Sequence, residues 1–278
     1  MSPSGSFGTG LAAVLASRGR RAHTAKAPGS LVVESFRWSG LDRWTQAWWP
    51  QGIAVGDFEG RPLALVSWFS RGNTRGARIT VLALDDLRYR HVALVEGGSE
   101  TAVRVHAGGI AWSGDRLLVA ATFGGIREFR MSGIRRASNG GFVLPQVAHL
   151  QPVERFRYSF LAEGSHGYVG GEYSASGDGR LAGLKFGPTT VSATARHVPG
   201  VPEMQGAVSV DGFWAVSASR GDKRNGDLWL GEQGSLVKHE GALPPGPEDL
   251  AWWPERRQLW GVSEHPGQRW VYAVDLTR

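Results

Sequence analysis

Five short stretches of this 278-residue chain set a polar residue ahead of an apolar run: Gln51 in PQGIAV, His106 in HAGGIAW, Ser159 in RYSFLA, Gln205 in MQGAVSV and Glu248 in PEDLAWW. An acid, an imidazole and two carboxamides are complementary tools. A partly desolvated glutamate can act as general acid or base, and an imidazole titrates near neutral pH without help. A glutamine both donates and accepts, so it can orient a carbonyl or stabilise developing negative charge. A second set closes the next apolar runs, at Ser67, Thr122, Glu172, Ser217 and Ser263, with Arg220, Glu264 and His265 close by in sequence. Residue type and position assign acid or base work to Glu248, His106, Glu172 and Glu264. They assign substrate contact to Gln51, Gln205, Tyr158, Ser159, Ser67, Ser217, Arg220 and Trp49. Such a set suits proton-transfer chemistry: hydrolysis, a lyase or isomerase step, or cyclisation of a small molecule.

Other chemistries are disfavoured. The chain has no cysteine, which removes disulfides, thiolate metal sites and a cysteine nucleophile. His106 with Glu172 and Glu248 would make a two-carboxylate, one-imidazole set for a divalent metal. No local ligand motif supports it, and no cofactor is expected. Ser165 and His166 in EGSHG lack the strained nucleophile elbow and read as a hairpin turn. The net charge of +6 is spread over many short Arg-containing stretches without a stripe or a known module, so nucleic acid is not an expected partner. The basic loops SWFSRGNTRGAR and SRGDKRNGD read as solvated turns, with anion contact as the sharper alternative. The expected partner is a small organic ligand, which those loops allow to be anionic, and a monomer is consistent with the sequence.

What must position these residues is a repeat. The five polar residues recur every 43 to 55 positions, and each is followed by further short runs such as LALVSWF and ARITVLAL, or FWAVSAS and GDLWLG. Beyond Ser30 no segment keeps a helical apolar period, and 40 glycines supply turns. Tandem strand units of this length are the mark of a β-propeller. The expectation is an all-β fold over 31–278: a single five-bladed propeller rather than a six-bladed one. The lone strand in SLVVESFRWSG would pair with the last blade and close the ring, since an open edge is an aggregation hazard. The inner strands would then bring their opening residues into one axial pocket. Trp48, Trp49, Trp252 and Trp253 lie beside inner strands and read as packing between blades, with stacking on a ligand as the alternative.

Residues 1–30 read as a flexible arm or a non-functional signal remnant. A secretory signal has its positive charge first, whereas here GLAAVLA precedes Arg18, Arg20 and Arg21. Cytoplasmic location is therefore expected, and secretion only if the start is misplaced. No run approaches the roughly 18 apolar residues of a membrane-spanning helix.

As a set, PQGIAV…ALVS, HAGGIAWSGDRLLVA, SFLA…GYVGGEY, MQGAVSVDGFWAVSASRG and PPGPEDLAWW…LWGVSE resemble actinobacterial five-bladed propeller proteins of unknown function, usually exported. The likeness spans Trp48 to the C-terminus, and the N-terminus departs from it. More distantly, the QGIA unit looks like the repeats of NHL and gluconolactonase-like propellers, which hydrolyse lactones or bind partners. Two functions follow as expectations. The first is a small-molecule lyase, cyclase or hydrolase of specialised metabolism, with a deep pocket holding Glu248 and His106 in perturbed titration states. The second is a non-catalytic, secreted or surface binding module for a glycan, lipid headgroup or protein, with a shallow aromatic face.

Overall fold

The computed structural model describes residues 10–276, and its strands pair into five antiparallel units of four. Unit I comprises Trp48–Phe58, Arg61–Ser70, Ala77–Ala83 and Arg88–Val95. Unit II comprises Ile110–Ser113, Arg116–Ala120, Ile126–Arg130 and Phe142–Pro152. Unit III runs through Phe160–Gly164, Gly167–Gly171, Leu181–Phe186 and Thr190–His197. Unit IV runs through Met204–Val210, Phe213–Ala218, Asn225–Glu232 and Val237–Pro245. Unit V takes Pro247–Trp253, Gln258–Ser263 and Trp270–Asp275 from the C-terminus and Val32–Arg37 from the N-terminal side. Beyond Ser30 the apolar runs have become strands, and the segment after Ser30 does pair with the last unit. Among the described residues no helix is long and apolar enough to cross a membrane.

The first strand of each unit is innermost, and the strand starts define what we call the upper face. The core lies between neighbouring units: Phe36, Trp38, Ile53, Trp68, Trp253, Trp260 and Val262 join unit V to unit I, for example. Trp253 is thus core, while Trp49 and Trp252 stay half-buried.

Near the axis the backbones touch. A Cβ on Gly52 would lie 2.8 Å from Gly109 Cα, and one on Gly109 would lie 2.0 Å from Leu161 N. Only glycine fits where units I, II and III meet so closely. Between them sits Asp249, fully buried, whose Oδ2 accepts the Ile110 amide at 3.3 Å. Backbone and this carboxyl together pinch the axis and separate an upper mouth from a lower one.

Of residues 1–30, expected as a flexible arm or a non-functional signal remnant, 1–9 lie outside the described residues, and 10–30 lie folded on the sheets. The helix Gly10–Ala16, α1, buries Leu11 and Val14 in the same apolar cluster as Met131 and Ile134. Arg20–Arg21 pairs with the outer strand of unit I, and His23–Thr24 pairs with Val32–Arg37. The physical anchor is Asp42, on the short helix Gly40–Trp44, α2, which is almost wholly buried. Its carboxylate meets Arg20, and it accepts from Arg78 at 3.2 Å, His91 at 3.1 Å and Tyr89 at 2.8 Å. Burial holds His91 at about 4, so its neutral ring donates to Asp42 through Nε2 while Nδ1 accepts from Thr80 Oγ1 at 2.8 Å. A carboxylate with this many donors keeps its charge and ties the arm down.

Candidate active site

The inner strands break register at three of the residues singled out by sequence. In unit I, Pro50 pairs with Trp68 and Ile53 with Val66, so Gln51 and Gly52 together face Ser67. In unit IV the shift falls between Met204 and Gly206, at Gln205. In unit V it falls between Pro247 and Leu250, at Glu248 and Asp249. A bulge of this kind re-aims side chains that would otherwise alternate across the sheet. It is the local reason that two successive acids in PEDLAWW can both turn toward the axis.

At the upper mouth, Gln51 is 3% exposed, and its Nε2 donates to Glu264 Oε2 at 2.9 Å and to the Pro50 carbonyl at 2.9 Å. Glu264 follows the second strand of unit V, and its Oε1 lies 3.8 Å from His265 Nε2. Trp49 stands edge-on to His265 at 5.9 Å. Behind them the buried Arg269 donates through Nε to the Glu264 carbonyl at 2.7 Å and through Nη1 to the Asp42 carbonyl at 2.9 Å. Burial raises Glu264 to about 7, with Gln51 and Arg269 pulling the other way.

Glu248 is the second carboxyl. The residue is 4% exposed, and its carboxyl has no hydrogen-bond partner among the described residues. Burial first, then the charges of Glu264 and Asp249, push it well above the glutamate range. A buried carboxyl without donor or cation is costly to ionise, so burial favours its protonated form. Burial raises Tyr173 on the upper face and the fully buried Tyr272, whose hydroxyl has no partner, and ionisation of Glu248 would raise both further.

The structure therefore gathers Trp49, Gln51, Glu248 and Glu264 and leaves other candidates outside. Glu172 is held by Arg180, Nε to Oε2 at 2.6 Å, and accepts the Arg157 amide at 2.9 Å. That pairing lowers its pKa, so it is an ion-paired loop anchor rather than an acid or base. Ser67 and Ser217 are fully buried stitches between units: Ser67 Oγ accepts the Gly52 amide and donates to the Ala107 carbonyl at 2.7 Å, and Ser217 Oγ donates to the Glu248 carbonyl at 2.7 Å. No substrate reaches either hydroxyl. Tyr158 is buried in the core and donates to the Val191 carbonyl at 3.3 Å. Arg220 pairs with Glu240 and lies 3.6 Å from Asp227, so its guanidinium is engaged by carboxylates. His106 is exposed and stacks on Phe69 at 4.3 Å, with no carboxylate beside it. Ser159 and Gln205 are half-buried, and Gln205 makes no side-chain hydrogen bond among the described residues. His106, Glu172 and Glu248 do not converge: no group of three or more His, Asp or Glu side chains among the described residues is spaced to hold a metal.

Asp249, Arg269, Tyr173 and Tyr272 escaped sequence reasoning. For Asp249 a signal existed, a second acid inside an otherwise apolar inner strand. The others sit in turns or outer strands and reveal themselves only when the ring closes.

The fold is that of a β-propeller. The Myxococcus xanthus glutaminyl cyclase is similar at a TM-score of 0.51 and 12% identity, over 91% of this chain and 96% of that one. A GH43 β-xylosidase/α-arabinofuranosidase from a compost microbial metagenome is similar at 0.50 and 11%, again over 91% and 96%. A Xanthomonas campestris gluconolactonase is similar at 0.45 and 12%, over 99% of each chain. The sequence matches no protein-family model and no curated protein. At such identities the likeness concerns fold alone, and chemistry has to be argued from the mouth itself.

Proposed function

We propose that the five four-stranded units are the blades of a ring whose upper mouth is the active site of a cofactor-independent enzyme acting on a small, uncharged organic molecule by proton transfer. One observation carries this reading: an unpartnered, buried Glu248 beside a Glu264 raised to about 7. Two carboxyls pushed to different protonation states are the usual division of labour between acid and base. Glu248 keeps its proton and donates it to a carbonyl or leaving oxygen. Glu264, partly ionised at neutral pH, takes a proton from the attacking water, hydroxyl or amine. Gln51 fixes the Glu264 carboxylate through Nε2, and Trp49 with His265 forms one wall. The cation behind Glu264, Arg269, is fully buried and engaged by the Glu264 and Asp42 carbonyls. Hydrolysis, elimination and intramolecular cyclisation all fit this set.

The test is turnover of a panel of lactones, aryl glycosides and N-terminal glutaminyl peptides, with Glu248→Gln and Glu264→Gln beside the parent. A substrate turned over by the parent should lose at least about 100-fold in kcat/KM in each variant, with KM little changed. Activity retained in both variants contradicts the reading. A second reading, partner binding by the same face, is favoured by exposed apolar side chains on its loops: Leu41, Trp44, Phe123, Val153 and Val198. It predicts no turnover of any panel member by the parent chain.

A further inference from the structure

A large cavity lies on the opposite, lower face and shares no residue with the upper mouth. Its volume is about 950 Å³, walled by the far ends of the inner strands of units I, II, III and V, with α1 forming part of the rim. That is room for a molecule of drug size.

Its lining has one sign of charge. Asp57, Glu59, Asp115, Glu163 and Glu255 line it, and among the described residues no lysine, arginine or histidine does, in a chain with 31 basic and 25 acidic residues. Several other carboxylates are paired, among them Asp85 with Arg61 and Glu128 with Arg116. Among the described residues none of the five cavity carboxylates has a cationic partner. Asp115 accepts only from Ser132, through its amide at 2.6 Å and its hydroxyl at 3.0 Å. Glu163 is half-buried in the wall, and burial raises its pKa.

Aromatic faces complete the wall. Trp112 is nearly buried, with its Nε1 donating to the Gly114 carbonyl at 2.7 Å, and Trp252 and Phe58 are half-buried around it. The negative face of an aromatic ring attracts a cation, and a concave wall of like charge concentrates its counter-ion. The carboxylates are also spread rather than convergent, since no three of them are spaced to hold a metal ion. A bare metal would lack ligands here, whereas a larger cation could span the walls.

We propose that the lower cavity binds an organic cation: a protonated or quaternary amine carried on an apolar body. This site is independent of the acid and base pair above the axis.

The test is isothermal titration calorimetry of the full chain at pH 7 and low salt with 2-phenylethylammonium, its neutral counterpart 2-phenylethanol, and phenylacetate. The ammonium should bind saturably and about tenfold tighter than the alcohol, and phenylacetate should not bind. The double variant Asp57→Asn/Glu255→Gln, at two exposed positions whose change leaves the core intact, should weaken the ammonium about fivefold or more. Glu248→Gln should leave it unchanged. Equal affinity for alcohol and ammonium, no saturable binding, or an unaffected double variant overturns the proposal. So does loss of binding in Glu248→Gln, which would move the ligand to the upper mouth.

Discussion

At the scale of single residues, one side-chain type does three jobs according to what surrounds it. Glu172 meets Arg180 and is held charged; Glu264 meets a carboxamide and is raised to about 7; Glu248 meets no donor, and burial pushes it well above the glutamate range. The raised value of Glu264 has a consequence for stability. Folding holds its proton more tightly than the unfolded chain does, from the ordinary 4.5 up to about 7, so stability falls as pH rises through that window and levels off above it. With the carboxyl one-fifth exposed, the loss should be about 2 kcal/mol. Urea unfolding at pH 4.5 and pH 8 should therefore show Glu264→Gln gaining on the parent by about that amount at the higher pH. A difference that does not change with pH would return Glu264 to ordinary titration. Glu248 and Glu264 were legible as acids beside strand ends, but their environments were not. Pairing of Glu172 with Arg180, only eight positions away, could have been suspected; the Gln51 to Glu264 contact spans 213 positions and could not.

At the scale of elements, the decisive devices are bulges, stitches and glycines. The bulges at Gln51, Gln205 and Glu248 coincide with the polar interruptions visible in the sequence, which is why the strands and their order could be read there. Stitching serines looked like substrate contacts because a hydroxyl at a strand end has either use until its burial is known. Two substitutions separate these devices. Gly109→Ala would drive a Cβ to 2.0 Å from Leu161 N at the axis and should cost more than about 4 kcal/mol or prevent folding. Ser217→Ala removes one buried donor to the Glu248 carbonyl and should cost about 1–3 kcal/mol. Denaturant midpoints that rank the two in the opposite order would contradict the crowded axis.

At the scale of the whole molecule, closure and asymmetry matter most. The N-terminal strand Val32–Arg37 completes unit V, and the Asp42 network ties Arg20 to unit I, so both ends of the chain lock one ring. Tandem spacing made the ring legible. The arm was misread because α1 and the edge strands draw their stability from the surface they cover, not from their own short sequences. Closure also keeps the two faces apart: acid and base above the pinch at Gly52, Gly109 and Asp249, and a negatively lined, aromatic cavity below it. A ring that buries a carboxyl away from donors and cations favours its protonated form. That is the central claim, and carboxyl titration by NMR of the chain carrying 13C-labelled glutamate, assigned with Glu248→Gln and Glu264→Gln, tests it most directly. The account predicts that Glu248 remains protonated at pH 7 while Glu264 titrates near 7; both carboxyls titrating in the ordinary glutamate range would contradict it.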